Sequence, residues 1–145
     1  HNLLIGQRTA ENLKIKVGSA LENLYDPPEP VGVNGRDLLT GIPKQVMTDY
    51  HEVAEALDKS VAKIEEAVLK ALEDTPPELA ADIYRNGIYL TGGGALLRGL
   101  DERLAKKTKL TVHIAEDPLK AVVIGTGLAL KNTDIYTFLM DRQSL

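Results

Sequence analysis

The sequence predicts an α/β fold in two unequal parts, a small α+β subdomain followed by a segment of alternating strands and helices. Three observations carry that expectation. From Asp49 to Glu73, apolar residues recur at three- and four-residue steps, the period of a long helix with one buried face. At Thr75-Pro76-Pro77 the pattern changes, and short apolar runs then alternate with helical ones. Strand–helix–strand–helix with short links implies parallel strands covered by helices. Last, three consecutive glycines, Gly92 to Gly94, stand between an apolar strand and an apolar helix.

Taken in order, Arg8 to Leu24 reads as a helix, with Thr9 as its cap and Ala10, Leu13, Val17 and Leu21 on one stripe. Gly18 interrupts that stripe and weakens it. Asp26-Pro27-Pro28-Glu29-Pro30 breaks the helix, because proline lacks the N–H and clashes with the preceding turn. Val31 and Val33 then lead into Asn34-Gly35, the strongest hairpin signal in the chain, with a second strand from Ile42 to Thr48. Asp49 caps the long helix, with Glu52 three residues on as a capping box requires. Its apolar stripe is Val53, Leu57, Val61, Ile64, Val68 and Leu72. A short helix from Glu78 to Arg85 follows the prolines and stops at Asn86-Gly87. Ile88 to Leu90 is a strand, Leu96 to Lys107 a helix and Leu110 to Ile114 a strand, and Asp117-Pro118 caps a final helix from Leu119 to Lys131. The expected organisation is a small subdomain over residues 1–75, the closing part of a large α/β subdomain over 76–132, and a tail over 133–145. The tail has no clear period, although Ile135, Phe138, Leu139 and Met140 could dock against the body.

Composition excludes several functions. Hydrophobic residues make up 43% and charged residues 26%, so the chain is globular and not a disordered tail. The net charge is −4 and the longest basic run is Lys106-Lys107, which argues against a nucleic-acid partner. With no cysteine there is no disulfide, thiol nucleophile or cysteine metal site, as suits a reducing cytoplasm. No apolar run reaches membrane-spanning length and no signal peptide is visible. The chain opens at His1, as an excised piece of a longer protein would.

Among residues that could carry chemistry, Thr91, Gly92, Gly93 and Gly94 stand out. Glycines let a ligand approach the backbone closely, and the following helix is expected to aim its free N–H groups at the same spot. A turn that needs glycine only for its dihedrals is the competing explanation. Three glycines at the carboxyl end of a strand, where open α/β sheets bind ligands, favour a nucleotide. The turn is neither a P-loop nor a Rossmann fingerprint. Gly125-Thr126-Gly127 reads as helix packing. Glu11 and Lys14 share a helix face, which by itself indicates a surface salt bridge. His1, His51 and His113 lack metal-ligand spacing, and there is no Ser–His–Asp arrangement.

Leu90–Arg98 with Asp101 resembles the second adenosine motif of the actin/Hsp70/sugar-kinase superfamily. The surrounding residues resemble the MreB (rod shape-determining) family of bacterial actins. They are Ile5-Gly-Gln-Arg-Thr-Ala-Glu-Asn-Leu-Lys, Gly35-Arg-Asp-Leu-Leu-Thr-Gly-Ile-Pro, Thr75-Pro-Pro-Glu-Leu-Ala-Ala-Asp-Ile, Gly87-Ile-Tyr-Leu-Thr-Gly-Gly-Gly-Ala-Leu-Leu-Arg-Gly-Leu-Asp and Ala115-Glu-Asp-Pro-Leu-Lys-Ala-Val. The resemblance runs from Asn2 to Asn132. It implies the second half of an actin-like, ribonuclease H-like fold whose two halves clamp ATP with Mg2+. It also implies self-association into cytoplasmic filaments at the inner face of the membrane, where they organise cell-wall synthesis and rod shape. Glu11, Asn12, Leu13 and Lys14 would fall on the family's nucleotide-contacting helix, with Glu11 and Lys14 near ribose and base rather than in a mere salt bridge. Thr91 to Gly94 would lie beneath the nucleotide, with Ala95 and Leu96 adjoining. Gln7 departs from the family, which commonly has Glu there. The family's two earlier phosphate loops, its magnesium-binding acid and its water-positioning residue would all precede this segment, so weak or no ATP hydrolysis is expected of these residues alone. A sugar-kinase-like enzyme and an Hsp70-like or cell-division interaction module are the alternatives.

Overall fold

A computed structural model describes residues 1–136. Its elements are β1 (Leu3–Leu4), α1 (Gln7–Val17), β2 (Val31–Asp37), β3 (Pro43–Thr48), α2 (Tyr50–Glu73), α3 (Pro77–Asn86), β4 (Ile88–Leu90), a 3-10 turn (Gly93–Leu96), α4 (Leu100–Thr108), β5 (Val112–Ile114) and α5 (Ala121–Lys131). Phe138, Leu139 and Met140 lie outside the described residues, and Ile135 is 69% exposed.

The first helix is shorter than its sequence suggests. Thr9 lies inside it and Gly6 precedes it without a side-chain cap. It ends at Val17 instead of Leu24, because the next residues have partners elsewhere. Gly18 is extended, Ser19 bridges Arg98 in parallel fashion, and the Ala20 N–H donates to the Arg98 carbonyl at 2.8 Å. The fully buried Ser19 hydroxyl donates to the Leu21 carbonyl at 2.7 Å. Hydrogen bonds to a distant loop thus replace those of two further helical turns.

The Asn34-Gly35 turn is not formed. Both residues lie mid-strand in β2, opposite Gln45 and Lys44 of antiparallel β3. A Cβ on Gly35 would stand 2.5 Å from the Leu4 carbonyl oxygen. Glycine is needed here because β1 crosses close to it, pairing Leu3 with Asp37 and Leu4 with Arg36. The turn comes later, where the Asp37 carboxylate accepts from Leu39 N–H at 2.8 Å and Thr40 N–H at 3.0 Å. That local bonding is worth more than the turn preference of Asn-Gly, whose use would cost the β1 and β3 ladders.

The amides of Thr40 and Leu39, with the Lys44 ammonium 3.3 Å away, hold the Asp37 carboxyl at about 2, against an ordinary value of 3.8. A folded pKa below the unfolded one means the turn's support is complete above the ordinary value and is lost as pH falls through the folded one. The Leu39 and Thr40 amide resonances are therefore expected to titrate together with a midpoint of about 2. In Asp37→Asn that titration should vanish; a midpoint in the ordinary carboxylate range would show that the carboxylate does not hold the turn.

The long helix begins as its sequence predicts, with the Asp49 side chain accepting from Glu52 N–H at 3.1 Å. The reciprocal arm of the capping box is missing; the Glu52 carboxylate takes the Thr48 hydroxyl and His1 instead. Pro77 opens α3 and Gly87 closes it. β4 and β5 are parallel, pairing Ile88 with Val112 and Leu90 with Ile114, so the two expected strands share one sheet.

Two later helix starts also differ from expectation. Instead of a helix from Leu96, the glycines enter a single 3-10 turn, and α4 begins at Leu100 behind Gly99 in the left-handed region (φ 71°). This reversal delivers Leu100 and Leu104 into the core, where they meet Ala20 and Val61. A Cβ on Gly99 would come within 2.7 Å of Leu21, so both conformation and space require glycine. Asp117 does not cap the last helix. Its carboxylate pairs with Lys120 at 2.9 Å, while the Pro118 carbonyl accepts from Gly92 N–H at 2.7 Å. With residues 117–120 held as a turn against the glycines, α5 begins only at Ala121.

Two apolar clusters meet along α2. One joins Ala20, Val61, Leu100 and Leu104; the other joins Val17, Tyr50 and Val53; Leu57 packs against both. The antiparallel sheet lies wholly before residue 75 and the parallel pair wholly after it, with the first cluster drawing on both sides.

Candidate nucleotide-binding site

Helix α1 presents the first group of candidate residues. Lys14 Nζ lies 2.8 Å from Glu11 Oε2 one helical turn earlier, both side chains half in solvent. Asn12 is exposed, whereas Leu13 is half-buried against Val17, Tyr50 and Val53 and anchors the helix. The polar members therefore face outward from a helix seated by its apolar ones.

The second group is the glycine turn. Leu90 ends β4, its carbonyl accepting from Ala115 N–H at 3.0 Å. Gly92 takes the positive φ of 76° and is tied to Pro118. Gly93 and Gly94 are exposed. A Cβ on Gly94 would meet nothing within 4 Å, and one on Gly93 only the tip of Leu119 at 3.5 Å. Among the described residues no backbone carbonyl accepts from the amides of Gly93 and Gly94, which open the 3-10 turn. Bare backbone, two free donors and the exposed apolar side chains of Leu96 and Leu119 fit a flat, polar-edged ligand such as a nucleotide. The donors belong to this short turn and not to the start of a long helix, so the helix-dipole contribution expected from sequence does not operate here.

The two groups are joined behind the exposed surface. Gly18, four residues past Lys14, approaches Leu97, and Ser19 and Ala20 bond Arg98, four residues past Gly94. No hydrogen bond or ion pair among the described residues links Glu11–Lys14 directly to Thr91–Gly94. Sequence reasoning missed Pro118 and Leu119, which back the turn, and Ser19, which ties it to α1. Pro118 had a signal, the Asp-Pro pair, but it pointed to a helix cap; Ser19 had none. Among the described residues no group of three or more His, Asp or Glu side chains could hold a metal, and no helix is long and apolar enough to cross a membrane.

Helix, antiparallel strands, long helix and then a parallel βαβ unit carrying a glycine turn constitute part of an actin-like fold. The family model described as MreB/Mbl protein matches residues 1–137, and the chain belongs to the MreB/Mbl family. It is 48% identical over 134 residues to the cell shape-determining protein Mbl of Bacillus subtilis, covering 92% of this chain and 40% of that one. MreB5 of Spiroplasma citri, solved bound to AMPPNP, superposes with a TM-score of 0.86 at 36% identity, over 97% of this chain and 41% of that one. MamK, solved as a double helical filament, shares the fold alone, with a TM-score of 0.59 at 22% identity over 81% of this chain and 35% of that one. The chain thus spans about two fifths of the length of its relatives in the family.

Proposed function

We propose that Glu11, Asn12, Leu13 and Lys14 with Thr91, Gly92, Gly93 and Gly94 bind ATP, accompanied by Mg2+ held outside these residues. The protein they serve is a cell shape-determining bacterial actin. One observation carries this reading, the uncovered backbone of Gly93 and Gly94 with its two free amides. The likeness to an MreB solved with AMPPNP supports it. In this reading the bound nucleotide supplies a phosphate chain whose state governs assembly. The chain's own part is to seat the adenosine, with Glu11 and Lys14 at ribose and base and the glycine amides beneath it. Self-association into filaments at the inner face of the membrane, in contact with the wall-synthesis machinery, follows from family membership and belongs to the same proposal.

Titration of the full-length protein with a fluorescent ATP analogue tests the site. Lys14→Ala is expected to weaken binding about tenfold, since a partly solvated polar contact is worth about 1–2 kcal/mol. Unchanged affinity would return Lys14 and Glu11 to the status of a surface ion pair. Sedimentation with and without ATP tests assembly, and an ATP-independent pellet would separate assembly from this site.

A further inference from the structure

We infer that Arg103 is a positioning residue for the nucleotide site, holding α1 and the glycine turn at a set spacing without touching the ligand. This inference rests on the nucleotide reading given above. Arg103 lies on α4 and is mostly buried, its side chain 20% exposed. Its guanidinium reaches two other elements at once. Nε donates to Glu65 Oε1 at 2.9 Å and Nη1 lies 2.8 Å from Asp58 Oδ1, both on α2. Asp58 and Glu65 are seven residues apart, close to two helical turns, so one planar fork can span them. Nη1 also donates to the Ala20 carbonyl at 2.9 Å, in the strap that continues α1.

That strap is where the two halves of the site meet. Ala20 N–H donates to the Arg98 carbonyl, and Ser19 bridges Arg98. Residues 19–20 are thus gripped from two sides, by the Arg98 backbone beyond the glycine turn and by the Arg103 side chain braced on α2. Lys14 lies five residues before Ser19 at one end of this joint, and Gly94 four residues before Arg98 at the other. Removing the guanidinium frees the Ala20 carbonyl and leaves Glu65, 12% exposed, without its cation. Of its hydrogen bonds to other elements the strap then keeps only those to Arg98, and α1 gains freedom relative to the glycine turn. Binding of a ligand that must touch both weakens, because it must restore their spacing.

The test measures the affinity of the full-length protein for a fluorescent ATP analogue well below the melting temperature, in wild type, Arg103→Ala, Arg103→Lys and each combined with Lys14→Ala. Arg103→Ala is expected to weaken binding about threefold to tenfold. Arg103→Lys, which keeps the charge but loses the fork, should fall between it and wild type. Combined with Lys14→Ala, each loss should be smaller than its effect alone, because a misplaced Lys14 has less to lose. Where Arg103→Ala does not fold, the lysine variant decides alone. Wild-type affinity in folded Arg103 variants, whatever their melting temperature, would leave the guanidinium as a staple only and overturn the inference. Losses that simply multiply with that of Lys14→Ala would overturn it as well. A wild type that binds no analogue instead sinks the nucleotide reading itself, and this inference with it.

Discussion

Gly93→Val is expected to abolish detectable nucleotide binding while leaving the melting temperature close to that of wild type. The two halves of that expectation have separate origins. On the folding side, Gly93 does not carry the positive φ of the turn, which belongs to Gly92, and its Cβ would find only Leu119 at 3.5 Å, ordinary contact. A valine is therefore accommodated, at the modest cost of a β-branched residue entering a short helical turn. On the binding side, two methyl groups would project from the backbone surface offered to the ligand and would shield the Gly93 and Gly94 amides. Gly92→Val makes the contrast, since a β-branched residue there must adopt positive φ at a cost of about 1–2 kcal/mol and should lower stability as well. Titration with a fluorescent ATP analogue alongside thermal melts reads both quantities. The loss should exceed the roughly tenfold effect of Lys14→Ala. Wild-type binding by Gly93→Val would make the glycine turn merely structural and remove the best local support for a nucleotide site.

Leu104→Ala is expected to cost about 3–5 kcal/mol of stability, the range for deleting a fully buried leucine whose surroundings collapse only in part. Leu104 is 0% exposed and sits in the cluster where α4, α2 and the Ala20 strap converge. Rigid elements from three parts of the chain surround it, so the cavity has little freedom to close. Leu119→Ala is the control, because that side chain is 67% exposed and its loss should change stability by no more than about 0.5 kcal/mol. Urea unfolding of the two variants, compared at equal slope, separates them. A Leu104→Ala midpoint as close to wild type as that of Leu119→Ala would mean that this cluster is not the core.

Some elements were legible because their causes lie within a few residues. The start of α2 is set by Asp49, whose side chain reaches the Glu52 amide. The break between α2 and α3 is set by Pro76 and Pro77, and the pairing of β4 with β5 by two apolar runs on either side of a helix. The location of the glycine turn and the placing of Glu11 and Lys14 on one helix face are local in the same sense. These the sequence determined by itself, because caps, prolines and hydrophobic periods act through the nearest turn of backbone.

Tertiary structure decided the rest. Whether residues 18–24 continue a helix depends on Arg98, 79 residues beyond Ser19, and no local pattern reports that partner. Asn34-Gly35 is a sound turn signal overruled by β1, which requires glycine at that point for its own close approach. The delayed start of α4 answers to Ala20 and Val61, which take up Leu100 and Leu104 only if the chain reverses at Gly99, where Leu21 leaves no room for a Cβ. The same holds for the site. Its residue types were readable, but its spacing comes from the Ser19–Arg98 joint and the Arg103 fork, bonds between residues far apart in the chain. A hydrogen-bond donor goes to whichever acceptor the folded chain brings near, and for these groups that acceptor lies outside any local window.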